Sequence, residues 1–284
     1  MANHYPVLSS KSRAQPRCAG RDAQHAPGAG GAAPAAELRL DQRTYFDQQG
    51  HFSAKLRDFG GGLAEAGWSF VQATRSKKKP RGQSEKREAN EKRAQRRAQA
   101  RVRHLALAAN LDHLLTLTFR ENVIDFEQAS RCFERFIKLV HVAMPDWHYV
   151  AVAERQKRGA WHWHLGVAGR QNVTLLRRLW LECAGDGNID VQAPPGKRGH
   201  RKLRLVSYLT KYLGKSFNEL RELNAHRFRA SKHIKVPCRS IAIPVSARGD
   251  ISGYVVAALY AAAGTVGTVK KYEEVFAGWA CSWT

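Results

Sequence analysis

Ala160-Trp-His-Trp-His-Leu-Gly-Val-Ala168 decides how this chain folds. It is aromatic and β-branched and ends at Gly159 and Gly169, the signature of a β-strand. Side chains on a strand alternate between faces. His162 and His164 therefore share one face, and Trp161, Trp163 and Leu165 share the other. Two neighbouring imidazoles backed by indoles suit a metal site at the edge of a hydrophobic core. Histidines that only hydrogen-bond on a sheet surface are the plainer alternative.

The preceding run, Trp147-His-Tyr-Val-Ala-Val-Ala-Glu154, reads as a second strand. Arg155-Gln-Lys-Arg-Gly159 is polar and closes a hairpin. A hairpin of this length brings Glu154 beside the start of the next strand, near His162. One carboxylate and two imidazoles leave positions open for water and substrate oxygens around a divalent cation. A solvated Glu154 paired with Arg155 or Arg158 is the alternative.

Ser207-Tyr208-Leu-Thr-Lys211-Tyr212-Leu-Gly-Lys215 has helical periodicity through Leu205, Leu209, Leu213 and Phe217. Tyr208 and Tyr212 share a face, as do Lys211 and Lys215. An amphipathic helix with tyrosines at its edge and lysines in solvent would show the same pattern.

Taken together, these motifs resemble the HUH endonuclease superfamily, the rolling-circle replication initiators of single-stranded-DNA phages and plasmids. Leu114-Leu-Thr-Leu-Thr-Phe119 resembles the family's first-strand motif. Trp161-His-Trp-His164 is similar to its His-hydrophobic-His metal motif, with Glu154 as third ligand. Tyr208 to Lys215 resembles its Tyr-x-x-Lys motif in doubled form. The likeness spans residues 110 to 235. It implies a Mg²⁺ or Mn²⁺ ion on His162, His164 and Glu154, with Tyr208 or Tyr212 as nucleophile and Lys211 or Lys215 beside it. It further implies a 5′-phosphotyrosine link, a free 3′-hydroxyl primer, and rejoining after replication. Tyr208 with Lys211 and Tyr212 with Lys215 fit equally well. Mn²⁺ tolerates imidazole better than Mg²⁺ does. Tyrosine, with an ordinary pKa of about 10, needs a nearby cation to attack at neutral pH.

The 284 residues carry 47 Lys and Arg against 24 Asp and Glu, a formal net charge of +23. Such an excess calls for a polyanionic partner, nucleic acid first. Five scattered cysteines argue against a disulfide framework or a zinc ribbon, and fit a reducing compartment. Residues 1–40 are rich in Ala, Gly and Pro and are expected to be disordered. Residues 41–74 are expected to form a short arm. Residues 75–104 are a basic run, expected to be a solvated helix or linker without a core face, with Arg96 and Arg97 on phosphates.

Residues 105–250 hold the expected nuclease domain, in the order β-α-β-β-α-β and then the tyrosine helix. That order predicts an α+β fold: an antiparallel sheet with helices packed on one face. The loop from Gln192 to Lys202 offers Lys197, Arg198, Arg201 and Lys202 to a phosphate backbone, and His226–His233 offers Arg227 and Arg229. Residues 251–284 form an apolar extension, rich in Ala and Gly and short for a membrane span.

The expected protein is a replication initiator acting on single-stranded origin DNA in the bacterial host cytoplasm, with no membrane partner. The sequence has no Gly-x-x-x-x-Gly-Lys-Ser/Thr loop, so a host helicase is expected to unwind and a host polymerase to extend. A transposase or mobilisation relaxase of the same superfamily is the nearest alternative. A non-catalytic basic nucleic-acid-binding protein, its tyrosines stacking on bases, is the alternative of another class.

Overall fold

In the computed structural model, the structure describes residues 50–72, 85–196, 198–217, 226–244, 247, 249–264, 268–274 and 277–283. The expected tail, 1–40, lies outside them, as do the start of the basic run and Lys197. The chain is α+β, with two antiparallel sheets.

The first two strands are β1 (Gly50–Asp58) and β2 (Ala64–Gln72), followed by α1 (Arg87–Ala108). Then come β3 (His113–Phe119), α2 (Phe126–Ala143), β4 (Tyr149–Arg155) and β5 (Trp161–Val167). Next are α3 (Val173–Ala184), β6 (Gly187–Gln192) and α4 (Arg198–Phe217). The short strands β7 (Arg229–Ala230) and β8 (Arg239–Ile241) lead to α5 (Ile251–Ala263) and the closing pair β9 (Thr268–Glu274) and β10 (Ala277–Trp283).

The sheet that positions the site runs β6-β3-β5-β4-β7, with the histidine strand β5 at its centre. One face carries Leu115, Leu117, Ala151, Trp161, Trp163 and Leu165, and packs on α2 and α3 through Phe133, Phe136, Leu176 and Trp180. Trp163 stacks on Phe133 with ring centroids 4.1 Å apart. Asp125 caps α2 by accepting from Glu127 N and Gln128 N. Asn172 caps α3 through Leu175 N, as its sequence predicts.

The opposite face is apolar at Leu114, Val150 and Val152, and receives α1 and α4 through Val102, Leu105, Leu205, Leu209 and Leu213. The expected layer of helices is thus α2 and α3. A second layer, containing the tyrosine helix, covers the other face because these strands are apolar on both sides.

α1 departs from the expected coreless helix. Its first half is exposed, while Val102, His104, Leu105, Ala106 and Leu107 are buried. Charge dominates the composition and hides this apolar end. The 41–74 segment supplies the β1–β2 hairpin in its described part. That hairpin joins β8 and the C-terminal pair in a second sheet, order β8-β1-β2-β10-β9. α5 packs on it, burying Val255 and Leu259 against Ala54, Leu56 and Trp68.

Candidate active site

Register assembles the site. In β5, His162 lies opposite Thr118 of β3 and Glu154 of β4, and His164 lies opposite Thr116 and Val152. Both histidines are only 6% exposed, on the face that α4 covers. The threonine hydroxyls reach the Nδ1 edges: Thr116 Oγ1 is 3.3 Å from His164 Nδ1, and Thr118 Oγ1 is 3.4 Å from His162 Nδ1. The Gln156 amide is also 3.2 Å from His162 Nδ1. With Nδ1 engaged, each ring presents Nε2 inward. Metal-binding histidines are oriented by such outer contacts.

Glu154 joins strand to helix. Its Oε2 is 2.8 Å from His164 Nε2, and its Oε1 accepts from Lys215 Nζ at 2.8 Å. The carboxylate sits opposite His162, as the hairpin predicts, yet bonds the diagonal His164. His162 Nε2 is buried with no hydrogen-bond partner.

α4 places its tyrosines over this cluster. Leu205, Leu209 and Leu213 are buried on the helix face that meets the sheet. Gly166 permits the close approach, since a Cβ there would stand 3.0 Å from Leu209 Cδ1 and 3.2 Å from Leu205 Cδ2. The two tyrosine rings are 4.5 Å apart. The His164 ring is 4.4 Å from Tyr212 and 5.6 Å from Tyr208. Lys215 Nζ lies 4.6 Å above the Tyr212 ring. Lys211 is exposed, and no described contact joins it to the cluster. Lys215 is therefore the candidate lysine at the site.

The electrostatics favour a ligating state. Burial alone would raise the Glu154 pKa, but hydrogen bonds from His164 and Lys215 hold it below the ordinary carboxylate range. The bond to Glu154 pushes the Lys215 ammonium up. Burial, helped by the charges of His164 and Arg158, lowers His162 to about 4. At neutral pH the cluster thus offers a neutral His162 and an ionised Glu154, the protonation states a divalent cation needs. Among the described residues, no three His, Cys, Asp or Glu side chains already converge as a metal-holding group. The donors nonetheless fit a cation: a buried, unpartnered imidazole nitrogen lies beside a histidine–carboxylate pair.

The proposed phosphate contacts scatter. Arg96 and Arg97 are exposed on α1. Arg201 donates to Gly196 O and Lys202 to Asn110 Oδ1, both near the start of α4. The side chains of Lys197 and Arg198 lie outside the described residues. Arg227 donates to Ser216 O beside Phe217. Arg229 turns to the other face of the sheet, where it pairs with Glu134 and lies 5.6 Å from the Trp163 ring. It is not on the site face: β7 pairs it with Ala151, whose side chain belongs to the α2 side. Sequence reading missed Thr116, Thr118 and Gln156 as supports. The Leu-Thr-Leu-Thr alternation of β3 carried the signal for the threonines.

A family model for the replication-associated protein ORF2 matches residues 112–217. That span runs from the residue before β3 to the end of α4 and contains every member of the cluster. No curated protein matches the chain. Among solved structures, the chain is similar to the hypothetical protein ORF119 from Sulfolobus islandicus rod-shaped virus 1. That likeness has 11% identity and a TM-score of 0.30, covering 44% of this chain and 97% of the other. The match to a replication-associated family supports DNA as the partner. No helix among the described residues is long and apolar enough to cross a membrane.

Proposed function

We propose that this chain initiates rolling-circle replication by nicking single-stranded origin DNA through a metal-assisted tyrosine. The observation that carries the proposal is the placement of His164, which bonds Glu154 through Nε2 while its ring lies against both tyrosines. A core histidine would not need that company on a face shared with a second buried histidine.

A Mg²⁺ or Mn²⁺ ion on His162, His164 and Glu154 would supply charge neutralisation at the scissile phosphate. The chain's own groups do the rest. Glu154 fixes the Lys215 ammonium over the Tyr212 ring, where its charge favours the tyrosinate. The tyrosine oxygen forms a new P–O bond as the bond to the 3′ oxygen breaks. The tyrosine proton ends on the departing 3′-hydroxyl, and the 5′ phosphate stays on the protein. Rejoining reverses the exchange, so the phosphodiester energy is conserved. Stacked tyrosines let one side chain hold a strand while the other cuts the regenerated origin. The freed 3′-hydroxyl would prime a host polymerase behind a host helicase, in the bacterial cytoplasm.

The test incubates full-length protein with labelled single strands from its own element and Mn²⁺, then resolves adducts on a denaturing gel. An EDTA-sensitive adduct that the Tyr208→Phe/Tyr212→Phe variant cannot form is expected. Tight, salt-dependent binding with no adduct would leave a basic binding protein instead.

A further inference from the structure

The turn of the β4–β5 hairpin borders an open cleft of roughly 520 Å³, lined by Glu154, Arg155, Gln156, Lys157, Arg158 and Lys215. Four cationic side chains face one carboxylate there. Both oxygens of that carboxylate are engaged, one by His164 and one by Lys215. Arg155, Lys157 and Arg158 are exposed. Among the described residues none of the three has an acidic partner, whereas Arg103, Arg131, Arg135 and Arg229 each have one. Unpaired cations crowded on one turn repel each other, so their arrangement calls for an anion.

The turn is also held rigid. Gln156 N donates to Ala160 O, Gly159 N donates to Gln156 O, and Asn122 donates to Arg158 O. Gly159 has φ +92°, a conformation that side-chain-bearing residues rarely adopt. Arg155 donates to Gly159 O and Arg158 to Phe119 O, which anchors the guanidinium stems. A fixed row of donors binds without the cost of ordering a loop. Arg158 Nε further donates to Gln156 Oε1 at 3.0 Å, and the Gln156 amide reaches His162 Nδ1. An anion on Arg158 would thus sit two hydrogen bonds from a buried histidine of the site.

We infer that this hairpin cleft binds the phosphate backbone of single-stranded nucleic acid and leads the strand to the tyrosines. The inference rests on the nicking reading above, and it places the principal phosphate contacts on Arg155, Lys157 and Arg158. Lys215 lines the same cleft and overhangs Tyr212, so cleft and nucleophile are continuous.

The test measures binding without cleavage. Full-length protein in EDTA is titrated against a fluorescein-labelled oligothymidylate of about 15 nucleotides, and anisotropy is followed across salt concentrations. Arg155→Gln/Lys157→Gln/Arg158→Gln is compared with Arg131→Gln/Arg135→Gln/Arg178→Gln, which removes the same charge from the α2–α3 side. The hairpin variant is expected to bind about tenfold more weakly. Its plot of log affinity against log salt should be shallower by about 2, from roughly 0.7 per lost phosphate contact. The control should retain the wild-type slope. Equal weakening of both variants would reduce the effect to net charge and overturn the inference. So would wild-type binding by the hairpin variant. Lys157→Glu, a single change on an exposed tip, repeats the test if the triple variant melts early. Tyr208→Phe/Tyr212→Phe should bind as wild type, so failure of the nicking reading is visible separately.

Discussion

His162 is buried as a neutral ring, with its pKa drawn down to about 4 by desolvation and by the charges of His164 and Arg158. The sign of the resulting pH effect follows from linkage. Between about 4 and the ordinary value near 6.5, the unfolded chain binds the proton more readily than the folded one. Metal-free protein should therefore lose stability as pH falls through that window, and His162→Gln should flatten the dependence. Melting temperatures in EDTA from pH 7 to pH 4 would check this, and an unchanged slope would count against it. His162, His164, Glu154 and the tyrosines were legible because strand period and helix period alone bring them to shared faces. Gln156 was not, because its contact depends on how one turn folds back. Lys211 and Lys215 both satisfy the same spacing, and only the packing of α4 over Glu154 separates them.

At the scale of elements, Gly166 sets the distance between the tyrosine helix and the histidine strand. Gly166→Val is expected to push Leu205 and Leu209 outward and cost about 1–3 kcal/mol in thermal or denaturant unfolding. Displacement of the tyrosines should slow adduct formation roughly 100-fold. α1 is held from two sides. Gln99 donates to Thr210 O of α4, while Arg103 and His104 bond the buried Glu65 of β2. Burial alone would raise Glu65, but bonds from His104 and Arg103 bring it to about 2. A depressed carboxylate stabilises above its unfolded pKa, and this contribution is lost as pH falls from about 4.5 towards 2. Glu65→Gln should cost on the order of 3 kcal/mol at pH 7 and blunt acid unfolding in that range. A chemical-denaturation series against pH measures both. None of this was legible: Glu65 sits in an ordinary strand, and the buried end of α1 follows a long charged run.

On the scale of the whole molecule, two segments remote in sequence build one sheet. β2 pairs with β10 from Ala64↔Ser282 to Ser69↔Ala277. Neither segment carries its partner's register, so sequence reading leaves an arm and an apolar extension where the structure joins them. The central sheet was legible because its strands are consecutive and its helices carry caps. The +23 charge sets a further expectation. Arg93→Gln/Arg96→Gln/Arg97→Gln, on the exposed half of α1, should weaken binding to single and double strands alike. A competition assay with both nucleic acids would show it, and a loss confined to one form would argue against simple phosphate contact.

The most direct measurement identifies the residue that carries DNA. Trypsin separates the two tyrosines, because Lys211 divides Leu205–Lys211 from Tyr212–Lys215. Protein reacted with origin strands and Mn²⁺ would be digested with nuclease and trypsin, and the peptides read by mass spectrometry. A 5′-phosphonucleotide on Tyr208 or Tyr212, absent when EDTA is present, is the expected result. Unmodified tyrosines in both peptides, from protein that still binds the strand, would contradict the nicking site.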